Sequence, residues 1–208
     1  KISKVETQPI IGTQINFKYG ETTGLLPLYA LDETGYKRII ELSSLSYLKN
    51  DELSDPHLNF DELLIKTDGI ALFSGTVYGL FGQLFDKGKF TKIKELYSLL
   101  KKNFNENFYI EIQRHGDQNE VGFEKFNLSK SSELEIPLIA TNEVFYINKD
   151  MYEAHDALIC IKNKTYINEK NRVRFNDQHY FKKDSEMAEL FSDIPEALEN
   201  NYNFPYRC

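Results

Sequence analysis

The chain has 208 residues, of which 41% are hydrophobic and 27% charged, a composition typical of one globular domain with a sizeable core. Its net charge of −7 argues against a broad nucleic-acid-binding face, because phosphate contacts need clustered Lys and Arg. Its two cysteines belong to no CxxC or Cys/His cluster, which excludes a zinc-finger-type site and fits a reducing cytoplasm. No apolar run approaches membrane-spanning length, so the sequence predicts a cytoplasmic protein without a membrane partner.

In the first half of the chain, strand-like and helix-like segments alternate. Apolar residues at helical spacing after Thr34 and Gly35 predict a helix, whereas Pro56 and its polar neighbours predict a loop. The glycine-rich segment at residues 74–82 lacks the GK[ST] of a P-loop and is interpreted as a tight turn with close packing. The predicted elements are, in order, strands at residues 9–17 and 25–30, a helix from Thr34, a loop at 50–59, a short helix at 60–65 and a strand at 69–74.

The second half continues this alternation and ends in helices. The spacing of apolar residues between Ile93 and Phe104 predicts an amphipathic helix flanked by lysines. Asp150 and Glu153 have capping-box spacing ahead of an apolar run, which predicts a helix that starts at Asp150. The predicted elements are a helix at residues 93–104, a strand from Phe108, a polar helix at 119–134, a strand from Ile136, a helix from Asp150, an irregular stretch at 162–180 and short helices that start at Asp184 and Pro195. This order predicts an α/β protein with a largely parallel sheet or barrel.

Three side chains are candidates for chemistry at strand ends. Alternation along FYIEIQ places Glu111 on the face opposite Phe108, and His115 directly follows this strand. Glu143 ends the apolar strand IPLIATN. α/β proteins place their sites at such strand ends, so Glu111 and Glu143 are expected close together. The simpler interpretation of each carboxylate is a solvated or hydrogen-bonded group, and for His115 a structural role is favoured.

The remaining histidines carry a weaker signal. No two histidines have the i, i+4 spacing of a helical metal pair, and no HxH or GxSxG motif occurs. His57 and His179 are interpreted as loop residues. His155 lies on an apolar helical stripe, which predicts low exposure and a hydrogen bond from a ring nitrogen.

Several segments, in order, resemble the PHP (polymerase and histidinol phosphatase) domain of bacterial replicative DNA polymerase III alpha subunits. They are PIIGTQINF, TGY, LFSG, FYIEIQRHG, IPLIATNEVFYI, EAHDALICI and the tail EMAELFSDIPEALENN. The resemblance implies an incomplete, distorted α/β barrel with a helical appendage. It assigns residues 1–165 to the PHP domain fragment and 166–208 to an irregular and helical extension toward the polymerase core. It also implies a start inside the domain, after the family's opening HxH strand and the next strand–helix unit.

Metal-binding members of this family hold several divalent ions with His, Asp and Glu at strand ends, and this sequence departs from that pattern. Gln14 stands where an acidic residue is usual, Leu25 where His is common, and Phe145 where the N-D-x-H motif has its His. Gln14 supplies at best a neutral oxygen, and the other two supply no ligand. The resemblance thus implies a vestigial metal site, with no catalytic residue and no metal, at Gln14, Leu25, Glu111, His115, Glu143 and Phe145.

The resemblance implies a non-catalytic scaffold inside a template-directed DNA polymerase. The expected partners are the rest of the alpha chain, the epsilon proofreading exonuclease subunit, and DNA through the whole enzyme. No cofactor is expected on this chain, and Mg²⁺ is expected in the polymerase core. The alternative is an active divalent-metal-dependent phosphoesterase or 3'-5' exonuclease that uses Glu111, His115, Glu143 and upstream residues. The substitutions at Gln14, Leu25 and Phe145 favour the scaffold.

Overall fold

A six-stranded sheet with helices packed on it forms the body of the protein. The computed structural model describes residues 8–51 and 54–208. The strands are β1 (Gly12–Tyr19), β2 (Thr22–Ala30), β3 (Leu58–Asn59), β4 (Ile70–Phe73), β5 (Phe108–Ile112) and β6 (Leu138–Ala140). The helices are α1 (Glu33–Leu48), α2 (Phe60–Leu63), α3 (Leu80–Asp86), α4 (Phe90–Phe104), α5 (Glu120–Leu134), α6 (Tyr152–Asn163), α7 (Asp184–Leu190) and α8 (Pro195–Asn203).

The sheet is mixed, because β2 runs antiparallel to both of its neighbours. The strand order is β3-β1-β2-β4-β5-β6, and the pairs β3–β1, β4–β5 and β5–β6 are parallel. Only two residues join β1 to β2, and Gly20 among them has a φ of 59°, so a hairpin forms; a parallel pair needs a much longer crossover. The predicted α/β class and incomplete barrel are confirmed, with the described strands forming an open sheet. The expectation of a largely parallel sheet is wrong at β2.

The main core lies between the sheet and helices α1, α3, α4 and α5. The residues of α4 that follow helical spacing are buried, as predicted: Ile93, Leu96, Tyr97, Leu100 and Phe104. Phe108 and Ile110 of β5 point into this same core, whereas Tyr109 points to the opposite face of the sheet. All five residues of β5 are buried, so this strand is covered on both faces. The face that carries Glu111 is therefore inside the protein.

The C-terminal end of the chain covers the second face of the sheet. Phe204, in the short 3₁₀ turn after α8, packs on Phe73 with ring centroids 5.0 Å apart and on Tyr29 at 5.3 Å. Such tilted and edge-on aromatic pairs are favourable beyond the area that they bury. This aromatic cluster docks the C-terminal turn on strands β2, β4 and β5.

Helix α8 also protects the edge strand β6. The side-chain amides of Asn200 and Asn201 donate hydrogen bonds to the backbone carbonyls of Leu138 and Ala140, each at 2.7 Å. These carbonyls would otherwise be unpaired at the sheet edge. Phe191, before α8, belongs to the main core. Residues from the predicted extension thus pack with the rest of the fold, and the boundary at residues 165/166 stays a prediction.

Two predicted helix starts differ from the structure. Asp150 lies inside a 3₁₀ turn, and α6 begins at Tyr152 with no side-chain cap, so the predicted capping box is wrong. Asp184 is the first residue of α7 rather than its cap, and Glu186 accepts a hydrogen bond from the backbone N–H of Lys183 at 2.8 Å. The start of α8 at Pro195 is confirmed. In the described part of the chain, each helix is too short or too polar to traverse a bilayer.

Candidate functional site

Glu111 is the buried carboxylate at the centre of the candidate site. It is 5% exposed and lies near the carboxyl end of β5. Its Oε1 accepts hydrogen bonds from Thr141 Oγ1 and from Gln113 Nε2, the latter at 3.2 Å, while its backbone N–H donates to Ser74 Oγ at 2.9 Å. Its Oε2 is buried and has no partner among the described residues. Burial raises the pKa of Glu111 to about 7, although the hydrogen bonds from Thr141 and Gln113 act to lower it.

Glu143 lies at the same edge of the sheet, as the sequence predicts. It follows β6, which runs parallel to β5 with Ile139 opposite Glu111. The negative charge of Glu143 contributes to the raised pKa of Glu111. Burial also raises the pKa of Glu143 itself, and the neighbouring His115 acts in the opposite direction. The two carboxylates are therefore electrostatically coupled.

Glu120, which the sequence interpretation missed, holds His115 in place. The Oε2 atom of Glu120 accepts from the backbone N–H groups of His115 and Gly116 at 2.8 Å and of Asp117 at 3.1 Å. Its Oε1 lies 3.1 Å from His115 Nδ1. Burial acts to raise the pKa of Glu120, but the interactions with His115 and with the backbone of Asp117 together outweigh burial, so the pKa is lowered. The D-x-x-E spacing of Asp117 and Glu120 is the sequence signal that predicts such an arrangement.

The contact with Glu120 fixes the tautomer of His115. A carboxylate only accepts hydrogen bonds, so Nδ1 of His115 donates and Nε2 of the neutral ring carries a lone pair. This Nε2 is buried with no partner among the described residues. His115 is thus hydrogen-bonded within its own loop through Nδ1, and Nε2 is left as an accepting nitrogen, while the structural role favoured from the sequence stays a prediction.

His179 is the second buried histidine of the site. It is 1% exposed, and its ring stacks on His115 with centroids 4.0 Å apart and planes 8° apart. Its Nδ1 lies 3.1 Å from the backbone carbonyl of Glu143 and therefore donates, while Nε2 is buried without a partner among the described residues. Burial lowers the pKa of His179 to about 4. His179 lies in an irregular segment, as the sequence predicts, and this segment brings it back against His115 and Glu143, where it is buried.

Phe145 continues this stack of rings. It packs on His179 with centroids 4.8 Å apart and on His155 with centroids 5.0 Å apart. His155 is half-buried, and its Nδ1 has no hydrogen-bond partner in the described part of the chain. The predicted hydrogen bond of His155 is therefore wrong, because the aromatic rings of Phe145 and Tyr146 surround it. Phe145 fills space between two imidazoles and offers no ligand atom.

The other predicted positions line a cavity of about 540 Å³ beside the ring stack. Gln14 of β1, Leu25 of β2 and Glu143 contribute to its wall. Thr76 borders both this cavity and a smaller cleft that contains Glu111. Of the six predicted positions, three therefore line this cavity and three lie outside its lining. Those outside are Glu111, His115 and Phe145. The remaining lining residues are Pro27, Gly75, Tyr78, Gly79, Arg172, Val173, Arg174 and Phe175.

Glycines bring the loop after β4 close to β2. Gly75 has a φ of 80°, and a Cβ on it would lie 3.2 Å from the carbonyl oxygen of Leu25. A Cβ on Gly79 would lie 2.9 Å from the same oxygen, and one on Gly82 would lie 1.9 Å from the carbonyl oxygen of Val77. The predicted tight turn with close packing is confirmed. Helix α3, which begins in this glycine-rich segment, was not predicted from the sequence, since glycine is a poor helix former.

The unpartnered acceptors of Glu111, His115 and His179 suit a divalent cation in type but not in placement. The lone pairs of the two imidazoles lie in nearly parallel planes of stacked rings. An ion in the plane of one ring is then out of the plane of the other, whereas a histidine binds a metal in its ring plane. Within residues 8–51 and 54–208, no group of three or more His, Cys, Asp or Glu side chains is placed to hold a metal ion. The arrangement does not fit the metals that the resemblance associates with the family.

Sequence comparison assigns the family. A family model described as "PHP domain" matches residues 1–115, more than half of the chain. The chain therefore belongs to the PHP domain family.

Curated relatives match nearly the whole length of the chain. The DNA polymerase III subunit alpha of Caulobacter vibrioides is 34% identical over 183 residues, which are 88% of this chain and 16% of that protein. The subunit of Rickettsia conorii is 36% identical over 205 residues, and that of Vibrio cholerae is 29% identical over 205 residues, each covering 97% of this chain. The chain spans only 17% and 18% of the length of these two proteins.

Proposed function

We propose that this chain is the PHP portion of a replicative DNA polymerase III alpha subunit and acts there as a non-catalytic scaffold. Support comes from relatives of that name, which match nearly the whole chain with 34% to 36% identity in the Caulobacter and Rickettsia proteins. In this proposal, template-directed DNA synthesis, its Mg²⁺ and its DNA contacts belong to the rest of the alpha chain. The scaffold positions the polymerase core and the epsilon proofreading exonuclease subunit. A bacterial replication enzyme of this kind works in the cytoplasm.

The non-catalytic part of the proposal rests on the residues at the positions of the predicted vestigial metal site. Leu25 and Phe145 have no metal-ligating atom, and Gln14 offers only a neutral oxygen. The Nδ1 of His115 is bound by Glu120. A catalytic divalent site needs about three protein ligands for each ion. The described residues do not bring such a group together.

One observation favours the alternative, an active metal-dependent phosphoesterase or 3'-5' exonuclease. Glu111 Oε2, His115 Nε2 and His179 Nε2 are all buried acceptors without a partner in the described chain. Buried polar groups are normally satisfied, and a cation is one way to satisfy acceptors. The stacking of the two imidazoles argues against their sharing one ion.

Metal analysis of the full protein separates the two functions. After incubation with zinc or manganese and dialysis, we expect a metal content far below one ion per chain, and no turnover of a nitrophenyl phosphate ester or a single-stranded DNA 3' end. Glu111→Ala should change neither result, and Glu153→Ala, at an exposed position on α6, is the matched control. A tightly held ion that Glu111→Ala removes and Glu153→Ala retains would contradict the scaffold proposal.

The scaffold role itself is tested by binding. Titration of the full protein with the epsilon exonuclease subunit should give a stoichiometric complex whose affinity is the same with and without EDTA. Loss of the complex in EDTA would indicate that a metal ion maintains the binding surface.

A further inference from the structure

The cavity beside the ring stack has the size and walls of a small-molecule site. Its volume of about 540 Å³ lies within the range of about 300–1,000 Å³ that is usual for ligand pockets. Leu25 and Pro27 form one wall on β2, and Val173 and Phe175 form another in the segment between α6 and α7. These walls are mainly apolar. In a site that held several divalent ions, polar ligands would be expected at such positions.

Two guanidinium groups line the same cavity. The Arg172 side chain is 4% exposed and forms a two-point ion pair with Asp156, with N–O distances of 2.5 and 2.6 Å. Its Nε is buried and has no acceptor among the described residues. Arg174 donates from Nε to Tyr152 Oη at 2.7 Å, and its side chain is 59% exposed. Its terminal nitrogens make no hydrogen bond to residues 8–51 or 54–208.

The charges around the cavity leave the guanidinium group of Arg174 available to bind an anion. Asp156 is engaged in both hydrogen bonds with Arg172, so its charge offsets that of Arg172. Arg174 is 3.8 Å from the same carboxylate and so is paired with it only loosely. Glu143 is the one carboxylate in the lining, and burial raises its pKa, which opposes its ionisation. Donors for an anionic group and an apolar space for its body therefore lie side by side.

We propose that this cavity binds a small organic anion with a flat apolar body, an aromatic carboxylate or aromatic phosphate ester, without any metal ion. The anionic oxygens accept hydrogen bonds from the terminal nitrogens of Arg174, since a guanidinium group matches the geometry of both anions. The ring of the ligand packs between Leu25, Pro27 and the aromatic ring of Phe175. The inference rests on the proposed function, because the pocket depends on Leu25 in place of a metal ligand.

Binding of three simple probes to the full protein in EDTA tests this inference. The probes are phenyl phosphate, benzoate and neutral benzyl alcohol, each titrated and followed by protein NMR. Both anions should bind saturably, and benzyl alcohol should bind at least about tenfold more weakly, because it lacks the charge-assisted hydrogen bonds. The ratio of the two anion affinities tells whether carboxylate or phosphate is preferred.

Variants locate the binding. Arg174→Met should weaken both anions about tenfold and leave benzyl alcohol unchanged. Leu25→Trp should fill the cavity and weaken all three probes. The matched controls, Lys162→Met and Leu158→Trp, alter exposed residues of α6 and should leave all affinities unchanged.

The outcomes separate this inference from the proposed function. Absence of saturable anion binding, or equal binding to Arg174→Met, in a protein that also retains no metal would overturn the inference alone. Binding that requires added Mn²⁺ and disappears in Glu111→Ala would overturn both the inference and the scaffold proposal.

Discussion

Replacing Glu111 by Gln tests how far burial keeps this carboxyl group protonated in the folded protein. Its pKa is raised from an ordinary 4.5 to about 7. Between these values the unfolded chain has lost the proton while the folded protein retains it. Stability therefore falls as the pH rises from 4.5 to 7, because the folded state binds more protons in that window. Below pH 4.5 both states are protonated, and Glu111 makes no pH-dependent contribution.

The size of the effect follows from the two pKa values of Glu111. A tenfold change in an equilibrium is worth about 1.4 kcal/mol, so wild type should lose about 3 kcal/mol between acid pH and pH 8 through this group. Gln has nearly the same shape, retains Oε1 as an acceptor for Thr141 and Gln113, and has no titrating proton. Relative to their difference at pH 4, Glu111→Gln should thus gain about 3 kcal/mol over wild type at pH 8.

His179 contributes to the pH profile with the opposite sign. Its folded pKa is lowered from 6.5 to about 4, so its contribution to stability is complete above pH 6.5 and is lost as the pH falls toward 4. Both proteins contain His179, and its effect cancels in their difference.

Urea unfolding followed by circular dichroism between pH 4 and pH 8 measures this difference. The control Glu153→Gln lies at an exposed position on α6 and should follow the wild-type profile. A difference between Glu111→Gln and wild type that is independent of pH would refute the assignment of a raised pKa to Glu111.

Three further substitutions, two of them compared with a control substitution, test the packing of the fold by urea unfolding. Phe204→Ala should cost about 3–5 kcal/mol by emptying the aromatic cluster, whereas Tyr206→Ala, at a position 85% exposed, should cost less than about 0.5 kcal/mol; equal costs would contradict the docking of the C-terminal turn. Asn201→Ala should cost about 1–3 kcal/mol, because it leaves a carbonyl of β6 without its donor; no loss would mean that water replaces the amide. Gly88→Ala should lower the free energy of unfolding by about 1–2 kcal/mol through its positive φ alone. Gly75→Ala should lower it further, because a Cβ at Gly75 also meets a backbone oxygen. The reverse order would show that the loop around Gly75 relaxes.

Local patterns were sufficient to place the carboxylates of the site. Alternation along β5 puts Glu111 on one face, and parallel strand order brings the end of β6 to the same edge. Both inferences use rules that act within one element or between neighbouring strands. The burial of Glu111 and its coupling to Glu143 follow from that placement.

The parts that the sequence did not predict depend on contacts distant in the chain. His179 meets His115 across an irregular segment in which no periodicity marks a buried residue. The ion pair of Arg172 with Asp156 joins that segment to α6 and forms part of the cavity wall. The reversed direction of β2 depends on a two-residue turn, which is a weak signal beside a general alternation of strands and helices.

The hydrogen bonds from the side-chain amides of α8 to β6 also limit self-association. An exposed strand edge is a template on which another molecule can add a strand. A second copy could pair with β6 only after Asn200 and Asn201 release its carbonyls and Phe204 leaves its aromatic cluster. Undocking of the C-terminal helix is thus the step that opens this edge to aggregation, and the onset of fibril or aggregate formation reports how firmly the helix is held.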